Sequence, residues 1–410
     1  MHNKFSYLAG IAALLLSWPQ SPWATQTAWN LNDVSYLFPL PHGDSKAPAG
    51  LLAPLDEGAG GPLLPEAVYS RIPTLQNAGN GNETLYRNAL RVVSMRIDPC
   101  PQLDSTSCSP ELRLVWQPVE FDRFAEKWTA RDAAVHCVYA IPDFARLRDD
   151  LWAVKRKYEN HGVSTSRTPL DVHPALSNKA TAESFQKDIQ SIILRHAGSR
   201  HLSRVTFTAL RVPTRWWRFG GIEKDDHGQW TPTRIPRIDA RTVDIFNVAV
   251  AEGGLGKDDG IDAIFNVLPE EYPESDNLFR IINKGYRFND DRDLPVFRDK
   301  LDAVARFRNP HRSNTGDLDC ASCHYADAAR YYAANRFPQL SEFRSAERFD
   351  NPDPANFNLD NNTVATTSTR TVRAFGYLDD EPSISQRTIH DSAASAHWLN
   401  TMDRLAASPQ

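Results

Sequence analysis

Two stretches of strict alternation set the first constraint on this chain. From Arg91 to Ile97, Val93, Met95 and Ile97 face one way while Val92, Ser94 and Arg96 face the other. From Glu111 to Gln117, Leu112, Leu114 and Trp116 oppose Arg113, Val115 and Gln117. Successive side chains of a strand point to opposite faces, so a period of two marks strands of a half-buried sheet. Pro99-Cys100-Pro101 and Ser107-Cys108-Ser109-Pro110 bound a polar loop between the runs. The two runs therefore predict an antiparallel pair.

Around this pair the pattern is mixed. Ala133 to Ala140 is a third apolar run and reads as a more buried strand. Phe144 to Tyr158 carries Leu147, Leu151 and Val154 at helical spacing, and Ala182 to Ala197 carries Phe185, Ile189, Ile192 and Ile193 on one stripe. Leu202 to Val212 alternates again, a turn is expected at Asp226-His227-Gly228, and Ile238 to Val250 is another strand candidate. The expected fold class is α+β. A Pro- and Gly-rich extended arm over 25–82, anchored by Leu37, Phe38 and Leu40, precedes a body of strands and helices over 83–260. A mainly helical segment over 261–410 follows, with Phe297, Leu301 and Val304 on one face of a helix from Leu294 to Phe307. A closing helix is expected from Ser383 to Ala407, with Ser383 as its N-cap after Pro382. Phe343 to Thr371 between them is a polar connection.

The C-terminal segment also holds the run Asp319-Cys320-Ala321-Ser322-Cys323-His324-Tyr325. Positions i, i+3 and i+4 share one face of a helical turn, so both thiols and the imidazole point the same way. Asp317 or Asp319 would cap a helix running to about Asn335. A structural zinc needs four ligands, and no second C-x-x-C exists in the chain. A thioredoxin-type dithiol would open a helix directly after a strand, and nothing upstream reads that way.

Cys320 to His324 resembles the haem-attachment motif of the c-type cytochromes, C-x-x-C-H. The resemblance covers this turn and the helix after it. It implies one covalently held haem c, with Cys320 and Cys323 as thioether anchors and His324 as the proximal iron ligand. A carrier of this family takes a second axial ligand downstream. His390, His397 and Met402 on the closing helix are the candidates, with Met95 and His311 behind them. A vacant sixth position is the remaining option. The runs Arg96-Ile97-Asp98-Pro99-Cys100 and Leu114-Val115-Trp116-Gln117-Pro118 also resemble stretches of uncharacterised secreted bacterial proteins, which implies no activity.

The beginning of the chain agrees with that motif. Residues 1–24 read as a secretory signal peptide, with Lys4, a short apolar core from Leu8 to Trp18, and a break from Pro19 to Ala24. The core is too short to span a membrane, and no other long apolar run follows it, so no membrane span is expected after its removal. The expected location is the periplasm or outside the cell, where haem is joined to this motif in bacteria. Cys100, Cys108 and Cys137 allow three pairings with one thiol left over. A small disulfide in the 100–108 loop suits an oxidising compartment and leaves Cys137 as a buried free thiol.

A net charge of −5 argues against a nucleic-acid binder. The leading functional expectation is a monohaem carrier of single electrons with a redox partner protein. A haem enzyme or sensor with an open iron site is an alternative, as is a ligand-binding protein with a structural haem. Other motifs fail. Gly253-Gly254-Leu255-Gly256-Lys257 lacks the phosphate-loop pattern. Asn289, Asp291 and Asp293 start a calcium loop that Leu294 and Lys300 break. Trp216-Trp217 reads as a packed strand end.

Overall fold

A computed structural model describes residues 28–43, 48, 50–72, 82–100, 109–211, 216–232, 264–267, 290–313, 324, 326–327, 330, 344–363 and 375–407. The fold is α+β. The strands are β1 (Ser35–Leu37), β2 (Glu57–Gly58), β3 (Gly61–Pro62), β4 (Leu90–Asp98), β5 (Glu111–Asp122), β6 (Lys127–Ala130), β7 (Ala133–Ala140), β8 (Leu202–Arg211), β9 (Trp216–Lys224), β10 (Trp230–Pro232), β11 (Ile264–Val267), β12 (Phe375–Leu378) and β13 (Glu381–Ile384). The helices are α1 (Leu31–Val34), α2 (Glu66–Tyr69), α3 (Asn82–Asn88), α4 (Phe144–Glu159), α5 (Pro174–Ser177), α6 (Ala182–His196), α7 (Asp290–Phe307) and α8 (Gln386–Ala407).

The centre is a nine-stranded sheet in the order β1-β4-β5-β7-β8-β9-β10, with β11 also on β9 and β6 also on β5. Its pairings are antiparallel, and β4 and β5 are neighbours as their alternation predicts. The expected extended arm contributes the edge strand β1, through Tyr36 opposite Met95, and its anchors Leu37, Phe38 and Leu40 are buried. The expected strand at 202–212 and the turn at 226–228 appear as β8 and as the β9–β10 hairpin. The strand candidate at 238–250, the Gly253–Lys257 run, Cys108, the caps Asp317 and Asp319, and residues 1–24 lie outside the described residues.

The two sides of the sheet differ as the alternation requires. Tyr36 stacks on His173 and lies 6.3 Å from Phe185 of α6, so the Met95 face packs under α5 and α6. Tyr139 on that face donates to the Leu63 carbonyl. On α4, Leu147 and Leu151 are buried as expected, but the stripe continues through Lys155 and Tyr158 while Val154 is only partly covered. Lys155 can be buried because its Nζ lies 2.8 Å from Asp33 and 2.8 Å from Glu159. Burial would lower its pKa, and the two carboxylates more than offset that.

The opposite face is polar. Arg96, Arg113, Val138 and Arg204 form one cross-strand row. Ser94, Val115, His136, Thr206 and Gly221 form the next. The C-terminal segment covers this face. Ser35 and Ser392 of α8 share a 2.6 Å hydrogen bond, and Ser94 donates to the Phe375 carbonyl. Gln117 donates to the Tyr377 carbonyl and accepts from the Tyr377 amide, which locks β12 edgewise onto the sheet. The arm closes over the far end of α8, where Asn400 exchanges two hydrogen bonds with the Trp29 backbone.

Two boundaries differ from expectation. The closing helix begins at Gln386, because Pro382 and Ser383 belong to β13. Ser385 takes the capping role, accepting from the Thr388 amide. The helix expected from Leu294 starts at Asp290 and carries Pro295 inside it, with Leu301 and Val304 buried as predicted. That start makes Asp291 and Asp293 helical, not members of a calcium loop.

Candidate haem site

Cys320 and Cys323 lie outside the described residues; His324, Ala326, Asp327 and Arg330 are helical. Asp327 sits three residues after His324 and anchors its helix at two points. It pairs with Arg308 just beyond α7, and it accepts from the Gln386 amide at the start of α8 at 2.8 Å. A carboxylate at a helix N-terminus satisfies a donor that the helix itself leaves open. The segment carrying His324 is thereby tied to the ends of two long helices.

That anchorage brings the His324 ring to His136 of β7, the central strand of the sheet. The two centroids are 6.3 Å apart and the ring planes stand at 90°. His136 faces the polar side, between Val115 and Thr206 on the neighbouring strands. Its Nε2 is shut off from solvent without a hydrogen-bond partner. Burial, with the charge of Arg113 nearby, holds its pKa well below the usual histidine value, so the ring is neutral. A neutral imidazole nitrogen is the form that binds a metal.

Charge is concentrated beside it. Arg96 donates to Asp391 of α8 at 2.6 Å, and Arg387 donates to the other oxygen of that carboxylate at 2.7 Å. Burial would raise the Asp391 carboxyl, but Arg387 and Arg96 outweigh it and hold it below the ordinary range. Arg113 shares the row with Arg96, and burial lowers its pKa to about 10.

The distal candidates read from sequence lie differently. His390 is buried with both ring nitrogens engaged: Nδ1 lies 2.6 Å from the Arg308 carbonyl and Nε2 lies 3.0 Å from the side-chain Nε2 of Gln386. Burial lowers its pKa to about 4. Met402 is 42 % exposed on the last turns of α8, and His397 is partly exposed. Met95 faces the opposite, apolar side of the sheet, and His311 stacks on Phe349. His136 is not among the residues that the sequence singles out. Its only signal is a lone imidazole within an otherwise apolar run.

Cys137 is a buried free thiol pushed up to about 12 by burial, which suits packing and not nucleophilic chemistry. Among the described residues, no three His, Cys, Asp or Glu gather as a metal site would need. An open cleft of about 540 Å³ lies between Arg167 and the 348–360 stretch. There Asn351, Asp353 and Asn356 largely satisfy one another or the local backbone. No helix among the described residues is long and apolar enough to cross a membrane. Comparison with protein-family models, curated proteins and solved structures returned no match.

Proposed function

We propose that this chain is a monohaem c-type protein that carries single electrons in the periplasm or outside the cell. Cys320 and Cys323 would anchor one haem c, and His324 would be its proximal iron ligand. The observation that carries the reading is the C-x-x-C-H run with His324 on a helical turn facing the polar side of the sheet. Bound there, the haem would supply one-electron chemistry at iron, tuned by axial ligation and burial. Asp327, Arg308 and the start of α8 hold the attachment helix in place. A redox partner protein would take up the electron.

The test is a pyridine haemochrome assay on protein exported together with a haem-maturation system. One covalent haem per chain is expected, and it should be lost when Cys320 and Cys323 are both replaced by Ala. Colourless wild-type protein would overturn the reading.

A further inference from the structure

The polar face of the sheet holds one feature that the attachment motif does not explain. His136 stands on the middle strand with an Nε2 that is closed to solvent and makes no hydrogen bond. A buried, unsatisfied polar atom is costly and rare, at about 1–3 kcal/mol, and such an atom calls for a partner. Along its row His136 is flanked by Val115 and Thr206, and the position beyond Thr206 is Gly221, which has no side chain.

The ring geometry is compatible with a metal ion as that partner. A metal–imidazole bond is about 2.0 Å and the centroid of an imidazole lies about 1.2 Å behind its ligating nitrogen, so two histidines on opposite sides of one ion have centroids about 6.4 Å apart. His136 and His324 are separated by 6.3 Å. Both planes of such a pair contain the ligation axis and can stand at any angle about it, so the observed 90° is compatible.

Resting on the haem reading above, we infer that His136 is the second axial ligand, placing the iron between two histidines with crossed ring planes. The closing helix then supplies no ligand. His390 already uses both nitrogens, and Met402 is open to solvent. The assignment makes the site a joint product of two distant parts of the chain: the sheet brings one imidazole on a rigid strand, and the attachment turn brings the other. It also makes the iron six-coordinate, with no open position for peroxide or a gas.

The test uses full-length protein matured with covalent haem. The oxidised wild type should be low-spin, with a bis-imidazole near-infrared magnetic circular dichroism band and the strongly anisotropic electron paramagnetic resonance signal of crossed imidazole planes. It should bind neither cyanide nor, when reduced, carbon monoxide readily. His136→Ala should keep its haemochrome yield but become high-spin and bind both, and added imidazole should restore the low-spin spectrum. His136→Met should replace the bis-imidazole band with that of a sulfur-ligated iron. If both variants keep the wild-type spectrum, or the wild type is high-spin or sulfur-ligated, the assignment is wrong while the covalent haem stands. If the wild type carries no covalent haem, the haem reading and this assignment fail together. Should neither variant accumulate, the wild-type near-infrared band alone decides between histidine and methionine.

Discussion

Asp391→Ala should strongly destabilise the protein. Asp391 is the counter-ion for two guanidiniums, from Arg96 on the sheet and from Arg387 one turn back on its own helix. Arg387 would keep hydrogen bonds to the Phe307 carbonyl and to Ser313. Arg96 would not be so protected. It is 4 % exposed, its Nε and Nη2 make no hydrogen bond, and its remaining carboxylate, Asp98, is 3.8 Å away. Removing one partner of a buried pair costs about 3–5 kcal/mol, because the other charge is left in a poor solvent. A value near 4 kcal/mol lowers the folded-to-unfolded ratio roughly a thousandfold. The assay is urea unfolding of Asp391→Ala, Arg96→Met and the double variant, in a double-mutant cycle. With no unpaired charge left at Arg96, the double should cost less than the sum of the singles by at least about 2 kcal/mol. Additive losses, or single losses below about 1 kcal/mol, would refute the reasoning. The pH dependence has a fixed sign. The Asp391 carboxyl is held below its ordinary range, so its contribution is present above the unfolded carboxylate pKa and is lost as pH falls through the lowered value. The gap between wild type and Asp391→Asn should close in acid.

Two further changes test the packing of the same regions. His390 and His173 are pushed by burial to about 4 and about 3. The unfolded chain takes up their protons near pH 6.5 while the folded chain does not, so stability should fall as pH drops from 6.5 toward 4. His390 alone should contribute about 3 kcal/mol to that fall. Urea midpoints that stay flat over this range, or a slope unchanged in His390→Asn, would contradict it. Gly376→Ala would set a Cβ inside contact distance of the Gln117 side-chain oxygen and 3.0 Å from its Cδ. Gln117 cannot swing away without losing both bonds to Tyr377, so the change should cost about 1–3 kcal/mol. Gln117→Ala in the same chain should recover part of that loss in thermal melts.

Much of the sheet was legible because alternation is a local signal. Met95 and Ile97 on β4, and Leu112, Leu114 and Trp116 on β5, share the buried apolar face as their spacing demands, whereas a bulge between Val92 and Ser94 sets Val92 opposite Trp116 and leaves Val93 against Gly376. Phe185, Ile189, Ile192 and Ile193 form the buried stripe of α6 for the same reason. What covers the polar face was not legible. Ser94, Arg96 and Gln117 read as solvent-facing positions, and only pairing with Phe375, Asp391 and Tyr377, far along the chain, makes them buried. Lys155 escaped for the same reason, since its burial depends on Asp33. At the candidate site the spacing of Cys320, Cys323 and His324 is a local pattern and can be read directly. The approach of His136 to His324 depends on how the whole C-terminal segment lies on the sheet, which no local pattern encodes.

The seam between Trp29 and Asn400 bears on how such a molecule is made. A contact between residues 371 positions apart cannot form until the later one has left the ribosome, and closing so large a loop is slow. The early strands must therefore wait, one flank uncovered, for α8 to arrive. Chaperone demand during synthesis should be concentrated in that interval, and removing either Trp29 or Asn400 from the seam should open the same wound.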